Sequence, residues 1–223
     1  MERTFELQLE ELAATIQRMG GLVEQAIERS VEALVGRDDD LARQVIREDL
    51  RIDALELEAD KLAMQILARY QLAGRDLRFV TTAMKILPEL ERMADQAVNT
   101  AERAIELGAE PPVKPLIDLP KMAQRARTMV QGSLDAFVRR DAEQAREVIA
   151  LDDELDHRTE AIFRELVSYM MEDPATITRS IRLTFVAKYF ERIGDQATNV
   201  AEQVIYMVEG TVVRHPRLSQ EGS

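Results

Sequence analysis

Apolar residues recur three and four positions apart along most of the chain, the period of an amphipathic helix. Between Asp39 and Tyr70, for example, Leu41, Val45, Ile46, Ile52, Leu55 and Leu62 recur roughly at helical spacing. Six such runs are predicted. The first covers about Thr4 to Val35 and carries Gly20-Gly21 inside it. "GRDDD" then supplies a glycine stop and aspartate caps. The second runs from Asp39 to Tyr70 and breaks at "LAGRD"; the third stops at Gly108. The segment "GAEPPVKPLIDLP" holds four of the seven prolines and reads as a linker. The fourth run covers about Pro120 to Val138. Asp141 and Gln144 form a capping-box pattern ahead of the fifth, Ala142 to Met171. Asp173 and Pro174 open the sixth, which ends near Glu209. Residues 211–223 read as a flexible tail, with His215 in it.

The second half of this pattern repeats the first. Residues 91–105 and 191–205 share nine of fifteen positions at an offset of 100. "RDDDLARQVIREDLRID" (Arg37–Asp53) lies over "RDAEQAREVIALDDELD" (Arg140–Asp156) at an offset of 103. The expected fold is all-α: a tandem repeat of two similar antiparallel three-helix bundles, residues 1–110 and 119–210.

Composition agrees and narrows the function. The chain has 223 residues, 46% hydrophobic and 31% charged, without Trp and with few aromatics. Its net charge of −12 repels phosphate backbones, so bulk nucleic-acid binding is not expected. It has no cysteine, which removes thiolate nucleophiles and Cys-based zinc sites. The charged N-terminus is not a signal peptide, and no apolar run approaches the roughly 20 residues that span a bilayer. A cytoplasmic protein is expected.

The third and sixth runs carry "ELERMADQAVNTAE" and "YFERIGDQATNVAE". Each residue of a helix turns about 100°. Glu91, Asp95, Asn99 and Glu102 therefore form one stripe of oxygen ligands, and Glu191, Asp195, Asn199 and Glu202 form another. Asp49 with Asp53, and Asp152 with Asp156, add carboxylates four apart on the second and fifth runs. Like charges at that spacing repel, and a hard or borderline cation such as Mg²⁺, Mn²⁺ or iron would reverse the sign. Solvation, or pairing with the 29 Lys and Arg, is the competing explanation. Glu154 and His157 supply a single Glu-x-x-His, whereas di-iron bundles use that pattern twice. Pro88 either kinks or breaks the third run, and the methionines, Met64 and Met171 among them, read as core filling. No phosphate-binding glycine loop or hydrolase nucleophile motif is present.

The doubled motif in two three-helix repeats resembles the PhoU family of phosphate-transport and phosphate-signalling regulators, from about Phe5 to Glu209. The resemblance implies a cytoplasmic, non-enzymatic negative regulator. Its partners would be the ATPase subunit of a phosphate ABC transporter and a sensor histidine kinase, with membrane contact only through them; a homodimer is the expected assembly. It also implies divalent or multinuclear metal, iron or zinc, at Glu91, Asp95 and Asn99 with Asp49 and Asp53 opposite. The second site would use Glu191, Asp195 and Asn199 with Asp152 and Asp156. Met93-Ala94 stands where the second copy has Ile193-Gly194. A metal store, or a carboxylate-metal hydrolase or oxidase, is the alternative reading; with His157 as the only helical histidine, the catalytic version is poorly equipped for proton transfer.

Overall fold

The computed structural model describes residues 2–211, which form helices α1 (Glu2–Gly36), α2 (Asp39–Glu48), α3 (Leu50–Arg69), α4 (Gly74–Gly108), α5 (Asp118–Arg139), α6 (Ala142–Ile149), α7 (Asp152–Glu172) and α8 (Ile177–Glu209). Pro174–Thr176 is a single 3₁₀ turn before α8. The expectations for the tail and His215 lie outside the described residues, apart from Thr211. The six expected rods are present, and two of them are broken. The second is interrupted at Asp49, where the Ile52 N–H donates to the Asp49 carbonyl at 2.7 Å in a tightened turn. The fifth is interrupted at Ala150–Leu151. No glycine or proline marks either break.

Caps follow the sequence in part. Asp38 accepts from the Leu41 N–H, and Asp173 from the Ala175 N–H. Asp141 accepts from the N–H groups of Glu143 and Gln144. The capping box is only half made, because the Asp141 N–H is already taken by the Ala136 carbonyl at 2.9 Å. Pro88 sits inside α4, which continues through it as one 35-residue helix.

The long helices α1, α4, α8 and α5 close a four-membered ring, each packed on the next, while α2 and α3 cover one side and α6 and α7 the other. Gly20 permits part of this: a Cβ there would lie 2.0 Å from Leu134 Cδ1, so α1 meets α5 closely because the side chain is absent. One continuous core runs from Leu12 to Met207, with Phe137 and Phe190 among its largest members. Met93, Met122 and Met129 belong to it. Met64 and Met171 do not: they are 52% and 80% exposed, a correction to their expected role.

The repeats are therefore fused along α4 and α8. These helices run antiparallel, with Arg78 Nε donating to the Met207 carbonyl (2.9 Å) near one end. At the other end Arg182 is ion-paired to Glu106 (2.9 Å) and to Glu110. The linker is held by Arg37, which donates to the carbonyls of Gly108 and Glu110 at 2.6 and 2.5 Å.

Candidate functional site

Helix α3 packs on α4, and α7 on α8. That packing brings the carboxylates of neighbouring rods together in each half. The first group is Asp49 and Asp53 with Glu91 and Asp95. Asp49 stands at the break before α3, in the N-cap position, yet its side chain makes no capping hydrogen bond. Burial, then the charges of Asp53 and Asp95, push its pKa up to about 6. Glu91 is raised by burial and by Asp95, Glu56 and Asp53; Asp95 is raised by burial and by Asp53.

The second group is Asp152 and Asp156 with Glu191 and Asp195. Burial, followed by Asp195, Asp156, Asp153 and Glu191, pushes the Asp152 pKa up to about 6. Asp195 is raised by burial, Glu191 and Asp156, against the lowering effect of Lys188 and Arg192. Here the helices touch closely. A Cβ on Gly194 would stand 3.1 Å from Asp152 Oδ1 and 2.6 Å from Leu155 Cδ1. The matching Ala94 carries its methyl group and is buried. Asp152 Oδ1 is itself buried without a hydrogen-bond donor, an arrangement that costs free energy unless a cation or proton supplies the partner.

Not every expected ligand joins these groups. Asn199 turns toward the other half, with Nδ2 donating to Glu89 Oε2 at 3.4 Å. Asn99 is half-buried one turn beyond Asp95. His157 and Glu154 are engaged elsewhere: His157 Nδ1 meets the Asp153 carbonyl at 2.5 Å, and Glu154 is paired with Arg158 and Arg125. Glu191 is ion-paired to Lys188, so pairing with basic residues accounts for part of the second stripe. The first has no counterpart, since Pro88 occupies the place of Lys188.

Glu56 is a further member of the first group. It is half-buried, and its pKa is raised by burial and by Asp53 and Asp60. Its spacing from Asp49 and Asp53, at positions i, i+4 and i+7, was the signal for it. Thr159 takes that place in the second half.

Among the described residues, no three acidic or histidine groups already converge on one ion position. The donor set is nonetheless all oxygen, crowded and partly desolvated, and it includes the partnerless Asp152 oxygen. That chemistry fits a hard or borderline cation. The first group would hold it with Asp49, Asp53, Glu56, Glu91 and Asp95, the second with Asp152, Asp156, Glu191 and Asp195.

The family model of the PhoU domain matches this chain twice, at residues 16–104 and 119–204. A protein of Aquifex aeolicus named phosphate-specific transport system accessory protein PhoU homolog is 40% identical over 215 residues, 96% of this chain and 97% of its own length. A protein of the same name from Pseudomonas putida is 40% identical over 223 residues, 99% of this chain and 86% of its own. The crystal structure of PhoU from Pseudomonas aeruginosa matches with a TM-score of 0.88 at 40% identity, covering 93% of this chain and all of that one. That of the phosphate transport system regulatory protein PhoU from Streptococcus pneumoniae matches with a TM-score of 0.86 at 26% identity, covering 94% and 99%.

Proposed function

This chain belongs to the PhoU family, and from that premise we propose that it is a non-enzymatic negative regulator of phosphate uptake and phosphate-starvation signalling. It acts in the cytoplasm as an adaptor between the ATPase subunit of a phosphate ABC transporter and a sensor histidine kinase. The carboxylates of the two groups would hold cations, one between α3 and α4 and one between α7 and α8. The observation that supports the reading most is the doubled match, which spans both halves and includes the residues of both carboxylate groups. Among the described residues no helix is long and apolar enough to cross a membrane, so contact with the transporter and kinase would be made at their cytoplasmic parts.

In each half, carboxylates from two rods are brought together by packing and would hold a cation, which would supply positive charge against their mutual repulsion. Deleting the gene tests the regulatory reading: phosphate-starvation genes should be expressed in phosphate-rich medium. Unchanged expression in the deletion strain would refute it.

A further inference from the structure

Arg37 and Arg140 are equivalent positions of the two repeats, at the offset of 103. Each follows the last residue of a helix, α1 or α5, in the left-handed conformation, with φ of 56° and 55°, which residues other than glycine adopt rarely. Their side chains are used differently. Arg37 donates to the carbonyls of Gly108 and Glu110 at the end of α4. The matching carbonyls at the end of α8 are those of Val208 and Gly210, and the Arg140 guanidinium has no hydrogen bond to them or to any other described residue. It lies 5.0 Å over the Phe79 ring instead. Stacking occupies the face of a guanidinium and leaves the donors on its edge free. With Arg75, Met207 and Val208, Arg140 lines a cavity of about 260 Å³ where the ends of α4, α5 and α8 meet.

We infer that this cavity binds a phosphoryl dianion between the guanidinium groups of Arg75 and Arg140. Like Arg140, Arg75 has no hydrogen bond or ion pair on its guanidinium among the described residues. Arg78, one turn further along α4, gives only its Nε, to the Met207 carbonyl at 2.9 Å. Three arginines thus stand together without a carboxylate partner in a chain whose net charge is −12. The acids next to the cavity do not neutralise them. Glu209, which follows Val208, is held through both oxygens by Arg146 at 2.7 and 2.8 Å. Asp76 follows Arg75 in the chain but does not line the cavity. Uncompensated positive charge fixes the sign of the ligand, and the two forks fix its shape. A carboxylate has two oxygens and fills one guanidinium fork, whereas a phosphoryl group has enough oxygens to be shared between two. The cavity is smaller than those that enclose drug-sized ligands. The ligand is therefore free orthophosphate or the phosphate end of a small monoester.

Phosphorus NMR of orthophosphate titrated with the full chain, in a phosphate-free buffer, measures the binding. Saturable binding is expected. Arg75→Gln and Arg140→Gln should each weaken it at least tenfold, while Arg47→Gln, which removes an exposed arginine on α2, should leave it within twofold. Thermal melts unchanged by the substitutions confirm folding. Acetate at the same concentration should not displace the phosphate. Phenyl phosphate and phosphoserine, used as competitors, identify the source. If either displaces orthophosphate at a lower concentration than orthophosphate itself requires, the site takes the phosphate end of a monoester; if neither does, it takes the free ion. No saturable binding, binding that both arginine variants retain, or equal displacement by acetate would each overturn the inference. It does not rest on the regulatory reading, so a failed deletion phenotype would leave this result standing.

Discussion

The two carboxylate groups sit on the same scaffold and differ at four positions. Residues 91–100 and 191–200 follow an identical order of buried, half-buried and exposed positions, so α4 and α8 present their stripes in the same way. The first half adds Glu56, where the second has Thr159. The second adds Lys188, paired to Glu191, where the first has Pro88. The third difference is contact: Gly194 admits Asp152 to 3.1 Å from its missing Cβ, whereas Ala94 keeps a methyl group there. The fourth is Asp153, whose charge acts on Asp152 where the first half has Leu50. The first group thus has less internal compensation. The second is more tightly packed and partly neutralised. One motif written twice gives a site poised for a cation and a site already partly satisfied by protein.

The largest effect that follows is on metal-linked stability. A cation that binds only the folded chain adds about 2.7 kcal/mol at a hundredfold excess over its Kd, roughly 5–10 °C in melting temperature for a chain of this size. Thermal melts with EDTA and with added Mn²⁺, Fe²⁺ or Zn²⁺ read it. Glu91→Gln with Asp95→Asn should remove more of the metal-dependent rise than Glu191→Gln with Asp195→Asn. Both pairs should melt higher than wild type in EDTA, the first by more. If wild type melts at one temperature in every metal and both variants melt lower in EDTA, the acids are satisfied by protein alone.

A smaller effect tests the contact at α7. Gly194→Ala should cost roughly 1–2 kcal/mol, because the overpacking against Leu155 and Asp152 exceeds the helix-propensity gain of ~1 kcal/mol. Ala94→Gly should cost about 1 kcal/mol through propensity alone. Urea unfolding in EDTA compares them. A stabilised Gly194→Ala protein would show that the close approach at Asp152 does not constrain α8.

The pH dependence in chelator separates the halves less strongly. Asp49 and Asp152 both have pKa values raised from the ordinary 3.8 to about 6 by burial and neighbouring acids. For such groups the stabilisation is complete below the ordinary value and is lost as pH rises through about 6. Melting temperature in EDTA should therefore fall between about pH 4 and pH 7. Two units at 1.36 kcal/mol each set an upper bound, and solvent screening leaves ~1 kcal/mol per group. Asp49→Asn and Asp152→Asn should each flatten part of the slope, the remainder coming from Glu56, Glu91, Asp95 and Asp195. A slope that neither substitution changes would assign the titration to other residues.

Much of this was legible in the sequence. Helical periodicity, the proline-rich linker and the offset repeat placed the six rods and both stripes. The breaks at Asp49 and Ala150–Leu151 were not, because no glycine or proline marks them; packing of α3 on α4 and of α7 on α8 overrides a local propensity that would continue the helix. The single core was hidden for a similar reason: the face of α4 that meets α8 reads like any other apolar face. Glu56 was legible by its spacing from Asp49 and Asp53. The turn of Asn199 toward Glu89 depends on how the halves dock, which one helix cannot reveal.

The smallest effect sharpens the comparison most directly, because it turns one half into the other. Lys188 stands three residues before Glu191 and pairs with it, a surface pair contributing about 0.3–0.5 kcal/mol. Lys188→Gln should lower stability in EDTA by that amount, since Glu191 loses its ion-pair partner. With metal present the sign reverses, because the cation no longer competes with an ammonium group for the same carboxylate. Apparent affinity at the second group should rise severalfold, and adding Thr159→Glu, which copies Glu56, should raise it further. Competition titrations with a metal-sensitive dye, on a background carrying Glu91→Gln and Asp95→Asn, isolate the second group. If neither substitution strengthens binding there, Glu56 and the absence of a lysine at position 88 are not what sets the two groups apart, and the close contact of Asp152 with Gly194 becomes the controlling difference.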